Sequence, residues 1–373
     1  MLMYGGMPGM MANLTVARID PPTQAMLSKV SSPPGTPGAV ATPAPVATPG
    51  AVAVDIQAEA SDIVKTNRDN LVFVTGSAGA GSGFIANMDG ATYLMTNAHV
   101  SAGISAADFK TLKGATIKGG AAAVAVGHDI FRMAMPAGGK AFEVMQAVDE
   151  NAAIGDDVVV LGNAEGSGVI NTIMGKIVGI GPNLVEIDAQ FVPGNSGSPI
   201  VHLKTGKVIG VATYLVIKKY DAATREKMAA PVVRRFGYRL DSIKTWQAVD
   251  WRLFYAEADA MERIETLTKD LDAFFEDIIK NKGKVTIEEH TNPVIRTRIS
   301  QWLDSKHQHL SYIDRHEADA NFISFLKVAC QSDLATVQGR LRYDYFQREL
   351  EGESETRNEM AKAFESIIKD IRE

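Results

Sequence analysis

The segment PGNSGSP, residues 193–199, sets one serine between glycines in a run of turn-forming residues. A serine hydroxyl is a poor nucleophile at neutral pH, and it needs a base to take its proton and donors to stabilise the oxyanion that forms. Gly194 and Gly197 permit a tight turn around Ser196, in which the N–H groups of Gly194 and Ser196 face one point. The segment therefore predicts Ser196 as nucleophile and an oxyanion site formed by Gly194, Asn195 and Ser196. An ordinary surface turn is the alternative interpretation.

A histidine follows the strand-like run ATYLM, within the segment TNAHV at residues 96–100. The ordinary pKa of histidine lies near neutrality, so His99 is suited to act as a general base. Taken by itself, a histidine here is also compatible with a structural or merely exposed side chain.

The third candidate is Asp129, within GHDI at residues 127–130. A buried carboxylate beside a catalytic histidine accepts the Nδ1–H of the ring and holds the tautomer in which Nε2 can take a proton. Asp129 is therefore predicted as the orienting partner of His99. His128 is a competing base, but its place directly beside Asp129 suits a neighbour better than a partner.

Short apolar, β-branched runs recur between residues 63 and 216, separated by glycine, asparagine and aspartate. They include LVFVTG, AAAVAVG, DDVVVLG, KIVGI, PIVHL and KVIGVATYL. Many short strands broken by turn residues predict a barrel or sandwich, and this length is enough for two small barrels. The glycine-rich segment at residues 76–83 is predicted to be a loop between strands, since it lacks the Lys-Ser/Thr ending of a phosphate-binding loop.

These residues resemble a family. The chain order His99, Asp129, Ser196 is that of chymotrypsin-like enzymes, and the surrounding motifs resemble a Deg/HtrA-type trypsin-like serine protease domain over roughly residues 60–220. The motifs that carry the resemblance are GSGFI (81–85), TNAHV (96–100), GNAEGSG (162–168), GKIV (175–178), GVAT (210–213) and PGNSGSP (193–199).

The resemblance implies a mainly β fold of two six-stranded antiparallel barrels, with His99 and Asp129 from the first barrel and Ser196 from the second. It implies a serine endopeptidase that hydrolyses polypeptides through an acyl-enzyme, without a metal or other cofactor. The chain departs from the family at Phe131, where a small residue is usual, and at Ser198, where a second glycine is usual. The PDZ-like segment common in Deg-type enzymes is also replaced by a helical pattern.

The resemblance also implies a primary specificity pocket with Gln190 near its floor and Thr213, Tyr214 and Leu215 on one wall. No carboxylate occupies the floor position, which disfavours lysine or arginine before the cleaved bond. Leu215 stands where an open pocket has glycine. We therefore expect small or medium aliphatic residues at this position of the substrate.

Composition changes on both sides of the predicted protease domain, which spans residues 61–240. Residues 1–60 are rich in proline, alanine and glycine and predict a flexible tether. Residues 241–373 are predicted to form a helical domain with a regulatory or oligomerising role. The helical patterns are Met261 to Ile278, a second series starting near Pro293 and continuing to Leu326, a third with Leu334, Val337, Leu341 and Phe346, and a last from Phe364 to Ile371.

Composition excludes several classes of protein. A net charge of -6 argues against a general nucleic-acid binder. The single cysteine, Cys330, excludes intrachain disulfides and cysteine-based zinc sites, which leaves bacterial-type proteases without disulfides. His307, His309 and His316 resemble a metal-ligand cluster but are expected to be solvated surface residues.

No run of about 18 apolar residues appears, so no membrane span is expected. The family resemblance favours the periplasm or cell envelope, whereas residues 1–20 lack the features of an intact signal peptide and leave the cytoplasm open. An alternative function also stays open at this point. The chain could be a latent or inactive protease-fold module whose helical domain binds an activating partner or a second copy, because a protease fold does not guarantee activity.

Overall fold

The structure, a computed structural model, describes residues 14–18, 55–75, 80–103, 108–218, 232–280 and 333–372. The chain divides after Ala248 into two compact units. Most of the predicted tether, the helical series from Pro293 to Leu326, and His307, His309 and His316 lie outside the described residues. Within them, no helix combines the length and apolarity needed to cross a membrane.

The first half of the β unit is an eight-stranded sheet. Its strands pair in the order β15-β6-β7-β4-β3-β2-β5, and β8 pairs in parallel with β3. Their bounds are β2 Leu71–Thr75, β3 Ala80–Met88, β4 Ala91–Thr96, β5 Asp108–Thr111, β6 Ala122–Ala125, β7 Phe131–Ala134, β8 Phe142–Glu143 and β15 Trp246–Ala248. Among the described strands no pairing joins β5 back to β15, so strand pairing does not close this sheet into the first of the two predicted barrels.

The second half is a closed six-stranded antiparallel barrel. Its strands pair in the order β13-β12-β9-β10-β11-β14, and pairing of β14 with β13 closes the ring. A further strand, β1, pairs with the end of β13. The bounds are β1 Leu14–Arg18, β9 Asp157–Gly162, β10 Asn171–Ile180, β11 Leu184–Ile187, β12 Pro199–His202, β13 Lys207–Lys218 and β14 Val233–Arg239.

Strand β9 shows why the two halves stay together. Its sequence DVVVLG is a continuous apolar run rather than an alternating one, which is typical of a strand buried on both faces. Val158 and Val160 belong to the core inside the barrel. Val159 and Leu161 belong to a second core that also contains Leu71, Phe84 and other residues of the first sheet. One strand therefore joins the barrel interior to the layer between the two halves.

Three short helices complete the β unit. Helix α1, Ile56–Asn67, begins at an N-cap where the Asp55 carboxylate accepts hydrogen bonds from two backbone N–H groups. This helix was not predicted from the sequence, and it crosses the predicted border between the tether and the protease domain at residue 60. Helices α2 and α3 span Ala98–Ala102 and Val148–Asn151, and single 3-10 turns lie at Arg68–Asn70 and Ala164–Gly166.

The C-terminal unit is helical in its described residues. Helices α4, Trp251–Lys280, and α5, Asp344–Arg372, pack together, and the buried Arg357 side chain donates from Nε to Thr268 Oγ1 (2.8 Å) and from Nη2 to the Ile264 carbonyl (3.0 Å). A short helix at residues 333–337 precedes α5.

The predicted third helix is wrong in its extent. The helix at 333–337 ends in a turn at Gly339, whose φ is +74°, and Phe346 belongs to the last helix. Glycine accepts this left-handed conformation without steric cost, and it commonly ends helices for that reason.

The predicted fold class is confirmed in its main statement. The protein is mostly β, with a closed six-stranded antiparallel barrel and a second sheet, followed by helices.

Candidate active site

The candidate base and its partner are held by the first sheet. His99 lies in α2, directly after β4, and Asp129 lies in the turn between β6 and β7. The Nδ1 of His99 is 2.5 Å from Asp129 Oδ2, and the backbone N–H of His99 donates to Oδ1 (2.9 Å). Both side chains are buried. The Asp129 carboxylate therefore binds both the ring and the backbone N–H of His99. This arrangement fixes the tautomer with a proton on Nδ1 and directs the Nε2 lone pair away from Asp129.

A second set of side chains secures the Asp129 turn. The buried Asn97 side chain donates from Nδ2 to the Asp129 carbonyl (2.8 Å) and to Thr213 Oγ1 (3.0 Å). Thr213 in turn donates to the Val211 carbonyl (2.8 Å). Because Thr213 belongs to barrel strand β13, this chain of hydrogen bonds runs from the Asp129 turn into the second half of the β unit. Neither Asn97 nor this role of Thr213 was predicted from the sequence.

The competing base, His128, is engaged elsewhere. Its Nδ1 lies 3.1 Å from the Val126 carbonyl and its Nε2 lies 2.7 Å from Ser242 Oγ. Its ring also packs against Tyr238 at a centroid distance of 5.3 Å. With both nitrogens bonded within the fold, His128 acts as a structural neighbour of the Asp129 turn.

The departure from the family pattern at Phe131 is accommodated by packing. Phe131 is fully buried and stacks on Phe109, with ring centroids 6.0 Å apart and planes 8° apart. The next residue, Arg132, faces the opposite side of β7, where its guanidinium lies over the rings of Tyr93 (4.4 Å) and Trp246 (3.9 Å). Burial lowers the pKa of Arg132.

The turn that carries Ser196 is held mainly by backbone geometry. Gly194 and Gly197 have φ values of +94° and +87°, a region that residues with a side chain seldom adopt. Asn195 folds the turn on itself, because its N–H donates to the Val192 carbonyl (3.0 Å) and its Oδ1 accepts from the Val192 N–H (3.0 Å). Since its own N–H is used in this way, Asn195 is a scaffold of the predicted oxyanion site rather than one of its donors.

The peptide before Gly194 has a defined orientation. The Pro193 carbonyl accepts a hydrogen bond from the Glu165 N–H (2.8 Å). In a planar trans peptide the carbonyl and the following N–H point in opposite directions, so the Gly194 N–H points away from Glu165. A Cβ at Gly194 would lie 2.5 Å from the Asn163 carbonyl oxygen, so only glycine fits here. The Gly194 N–H is therefore turned away from the Glu165 segment, which is compatible with its predicted role as an oxyanion donor.

Ser82 joins the two halves of the site. The Ser82 N–H donates to the Ser196 carbonyl (2.8 Å), and its hydroxyl donates to the Gly194 carbonyl (2.9 Å) while accepting from the Asn163 N–H (2.8 Å). Its carbonyl accepts from Thr96 Oγ1 (2.6 Å), at the end of the strand that leads to His99. One serine of the first sheet therefore ties the Ser196 turn to the strand that precedes the candidate base. The GSGFI motif was the available signal, although it did not reveal this contact.

The third predicted residue, Ser196, is 2% exposed, and its carbonyl lies near Gly81 of strand β3. A Cβ placed at Gly81 would lie 2.6 Å from a Val100 methyl carbon and 3.4 Å from the Ser196 carbonyl oxygen. Gly81 therefore lies next to both Val100, the residue after His99, and Ser196. The buried His99 Nε2 makes no hydrogen bond within the described part of the chain, so it is not bonded to the Ser196 hydroxyl here. Hydrogen bonds of this kind are often formed only once substrate is bound.

Ser198, the second serine of the motif, is placed differently. It is fully buried, and its hydroxyl lies against Gly162 of barrel strand β9. This position supports Ser196 over Ser198 as the candidate nucleophile.

The predicted pocket residues occupy three environments. Gln190 is exposed and donates to the Asp188 carbonyl (2.7 Å). Tyr214 stacks on Phe236 at 5.2 Å, and burial together with the nearby Tyr238 raises the pKa of Tyr214 to about 12. Leu215 is half-buried and packs against the core inside the barrel.

Acidic, histidine and cysteine side chains do not converge in the described ranges. No group of three or more such residues there is placed to hold a metal ion.

Comparisons with known proteins give a match to one protein family. The family model of the trypsin-like peptidase domain matches residues 81–211. No curated protein sequence gives a significant match.

Three solved structures are similar to the chain. The serine endoprotease from Yersinia pestis is 24% identical over 41% of this chain and 56% of its own, with a TM-score of 0.32. The HtrA-type protease AlgW, with a tripeptide, is 20% identical over 48% and 60%, with a TM-score of 0.36. A Mycobacterium tuberculosis protein, an inactive serine-to-alanine mutant, is 23% identical over 53% and 92%, with a TM-score of 0.34. The chain therefore spans 56% and 60% of the length of the first two structures.

The family match begins at GSGFI, the first of the motifs quoted from the sequence, and ends in strand β13. It contains His99, Asp129 and Ser196. The predicted resemblance to trypsin-like proteases is confirmed, because residues 81–211 match the family model of the trypsin-like peptidase domain.

Proposed function

We propose that the protein is a serine endopeptidase in which Ser196 is the nucleophile, His99 the general base and Asp129 the residue that orients the base. The observation that carries this proposal is the His99–Asp129 pair. Its Nδ1 side is bonded at 2.5 Å, whereas the buried Nε2 has no hydrogen-bond partner among the described residues. Buried polar atoms in native proteins are almost always bonded, and a ring nitrogen kept without a partner is the state a general base needs before it meets its proton donor.

The chemistry follows from these positions. Ser196 Oγ attacks the carbonyl carbon of the scissile bond while His99 Nε2 takes its proton, and the Asp129 carboxylate stabilises the imidazolium that forms. The N–H groups of Gly194 and Ser196 donate to the oxyanion. The imidazolium then protonates the leaving amine, and the C–N bond breaks to give an acyl-enzyme. Water, deprotonated by His99, attacks the ester and releases the acid product and Ser196.

We propose an HtrA-like protease that acts on polypeptides, with the helical unit serving regulation or assembly. The cell envelope is the proposed compartment. The expectation of aliphatic residues before the cleaved bond rests on Gln190 and Leu215 alone.

A fluorophosphonate probe tests the nucleophile directly, because it reacts with activated serines whatever the peptide specificity. We expect labelling of the wild type and of the matched control Ser198→Ala, and none of Ser196→Ala. Against a generic unfolded-protein substrate, Ser196→Ala or His99→Ala should lower turnover by about a million-fold, as in other triads.

The opposite outcomes are equally clear. Labelling of Ser196→Ala, or a substantial rate in His99→Ala, would remove these residues from the mechanism. Absence of labelling in the wild type, with and without added peptide, would favour the alternative function, a latent protease-fold module whose helical unit binds a partner.

A further inference from the structure

Arg235 lies on the inward face of barrel strand β14. Its Cα partners are Leu215 on β13 and Ile187 on β11, so its side chain shares a face with theirs. Gly237, two residues further on the same face, abuts the side chain of Ile200 inside the barrel. The strand therefore directs the Arg235 side chain into the end of the barrel that contains Leu215.

Its guanidinium contacts the segment that leads to the candidate nucleophile. Arg235 Nε donates to the Phe191 carbonyl (2.9 Å), and the residue is only 8% exposed. Phe191 directly follows Gln190, the predicted floor of the specificity pocket, and Leu215 belongs to its predicted wall. Arg235 thus bonds to the residue after the predicted floor and pairs with a residue of the predicted wall. It lies outside the family match, and no sequence motif pointed to it.

The charge of this arginine has no counter-ion among the described residues. Within the described ranges Arg235 makes no ion pair, whereas its neighbour Arg234 pairs with Glu186 (2.7 Å) and Arg239 pairs with Asp241 (2.6 Å). A guanidinium stays protonated in proteins, so Arg235 is a buried cation. Burial lowers the pKa of Arg235, in keeping with a cation that lacks a counter-ion. Buried charges are normally paired, and a ligand that brings a carboxylate would supply the missing partner.

We propose that Arg235 is a specificity-determining residue that selects substrates with an acidic side chain, glutamate or aspartate, immediately before the cleaved bond. The inference rests on the proposed peptidase function. The planar guanidinium fork matches a carboxylate, and its Nη groups are available because only Nε is used within the described residues. An aliphatic side chain in the same pocket would leave the Arg235 cation desolvated and unpaired. The proposed preference for an acidic residue therefore replaces the aliphatic preference expected from the sequence.

Matched peptides that differ only before the cleaved bond test the proposal. With glutamate, glutamine and leucine at this position, we expect the wild type to show a kcat/KM for glutamate about 10–100-fold above that for glutamine, the range of one charge-assisted contact. Arg235→Met should abolish the difference, and Arg235→Glu should move the preference to lysine. Arg234→Met is the matched control, because Arg234 is adjacent, faces outward and pairs with Glu186; it should keep the wild-type ratio.

Two further measurements separate this inference from the proposed function. Each variant is labelled with the fluorophosphonate probe, and wild-type labelling with a preference for leucine would overturn the role of Arg235 while the peptidase stands. Binding of fluorescent peptides that end in glutamate or glutamine is also measured with the Ser196→Ala protein, which requires no turnover. Tighter binding of the glutamate peptide, lost in an added Arg235→Met change, supports the proposal, and equal affinities for the two peptides contradict it even if no labelling occurs.

Discussion

The two halves of the β unit position their parts of the site by different means. The first sheet holds His99 with side chains, since the Asp129 carboxylate binds both the ring and the backbone of His99, and Asn97 secures the Asp129 turn. The closed barrel holds Ser196 with its main chain, through two glycines of positive φ and backbone hydrogen bonds.

The difference shows what each half can tolerate. A site built from side chains depends on the chemical identity of a few polar groups, so it should respond to isosteric changes of charge or hydrogen bonding. A site built from main chain depends on space around the backbone, so it should respond to one added carbon atom. The halves meet at Ser82, which uses its N–H, its hydroxyl and its carbonyl to connect them.

After the losses expected for Ser196→Ala and His99→Ala, the largest effect is expected from Asp129→Asn, which tests the half built from side chains. The amide keeps the shape of the carboxylate but can donate to His99 Nδ1, which favours the tautomer in which Nε2 carries the proton and cannot accept another. We expect kcat to fall by about 10⁴-fold, as in the corresponding change of other triads, with little change in the unfolding midpoint. Steady-state kinetics measure kcat, and thermal unfolding measures the midpoint. A rate within tenfold of the wild type would show that Asp129 does not orient the base.

The next largest effect is expected from Gly197→Ala, which tests the half built from main chain. A Cβ here would meet the Ser82 carbonyl and Thr96 Oγ1 and would need φ near +87°. We expect the Ser196 N–H to move and kcat to fall by about 10²–10³-fold, the effect of losing one oxyanion donor.

Gly90→Ala is the matched control for that change. Gly90 also has a positive φ, +79°, but a Cβ there meets no atom within 4 Å. It should lose about 1 kcal/mol of unfolding free energy to backbone strain and retain full activity. Equal loss of activity in both variants would mean that activity depends on the stability of the whole domain. It would not then depend on the space around the backbone at Gly197.

The smallest effect is expected from Asp156→Asn, at the opposite end of strand β9 from the site. Asp156 Oδ2 accepts from the Ala153 N–H (2.7 Å) and lies 3.1 Å from His202 Nε2, and these bonds lower the pKa of Asp156 below its ordinary value of 3.8. A carboxyl whose folded pKa is depressed stabilises the protein above the unfolded pKa, and that contribution is lost as the pH falls through the folded value.

Near neutrality, therefore, Asp156→Asn should lower the unfolding midpoint by no more than about 4 °C, because a partly exposed charge contributes about 1 kcal/mol at most. The difference from the wild type should disappear in acid below the folded pKa, while kcat/KM at neutral pH stays unchanged. A midpoint difference that persists in strong acid would assign the effect to packing rather than charge.

Much of this arrangement could be predicted from local sequence. The turn around Ser196 and the position of His99 after a strand are local features, since glycine, proline and β-branched residues act on their immediate neighbours. The helix break at Gly339 also has a local signal, because a glycine often ends a helix. The predicted third helix nevertheless continued past this glycine.

The contacts of Ser82, Asn97 and Arg235 could not be predicted in the same way. Each depends on strand register and on which strand lies next to which, and a shift of one residue would turn each side chain to the other face. Among the described strands, the sheet that carries Ser196 closes into a barrel and the sheet that carries His99 does not. This difference is likewise set by pairings between strands that are distant in sequence.

The specificity proposed for Arg235 would link substrate to stability. Within the described residues its buried guanidinium has no counter-ion, so a neutral, apolar residue at this position would make a more stable empty protein. Active sites commonly give up part of the stability margin in this way. A peptide that brings a carboxylate to Arg235 would bind only the folded state, and it would raise the resistance of the protein to unfolding according to its concentration and affinity.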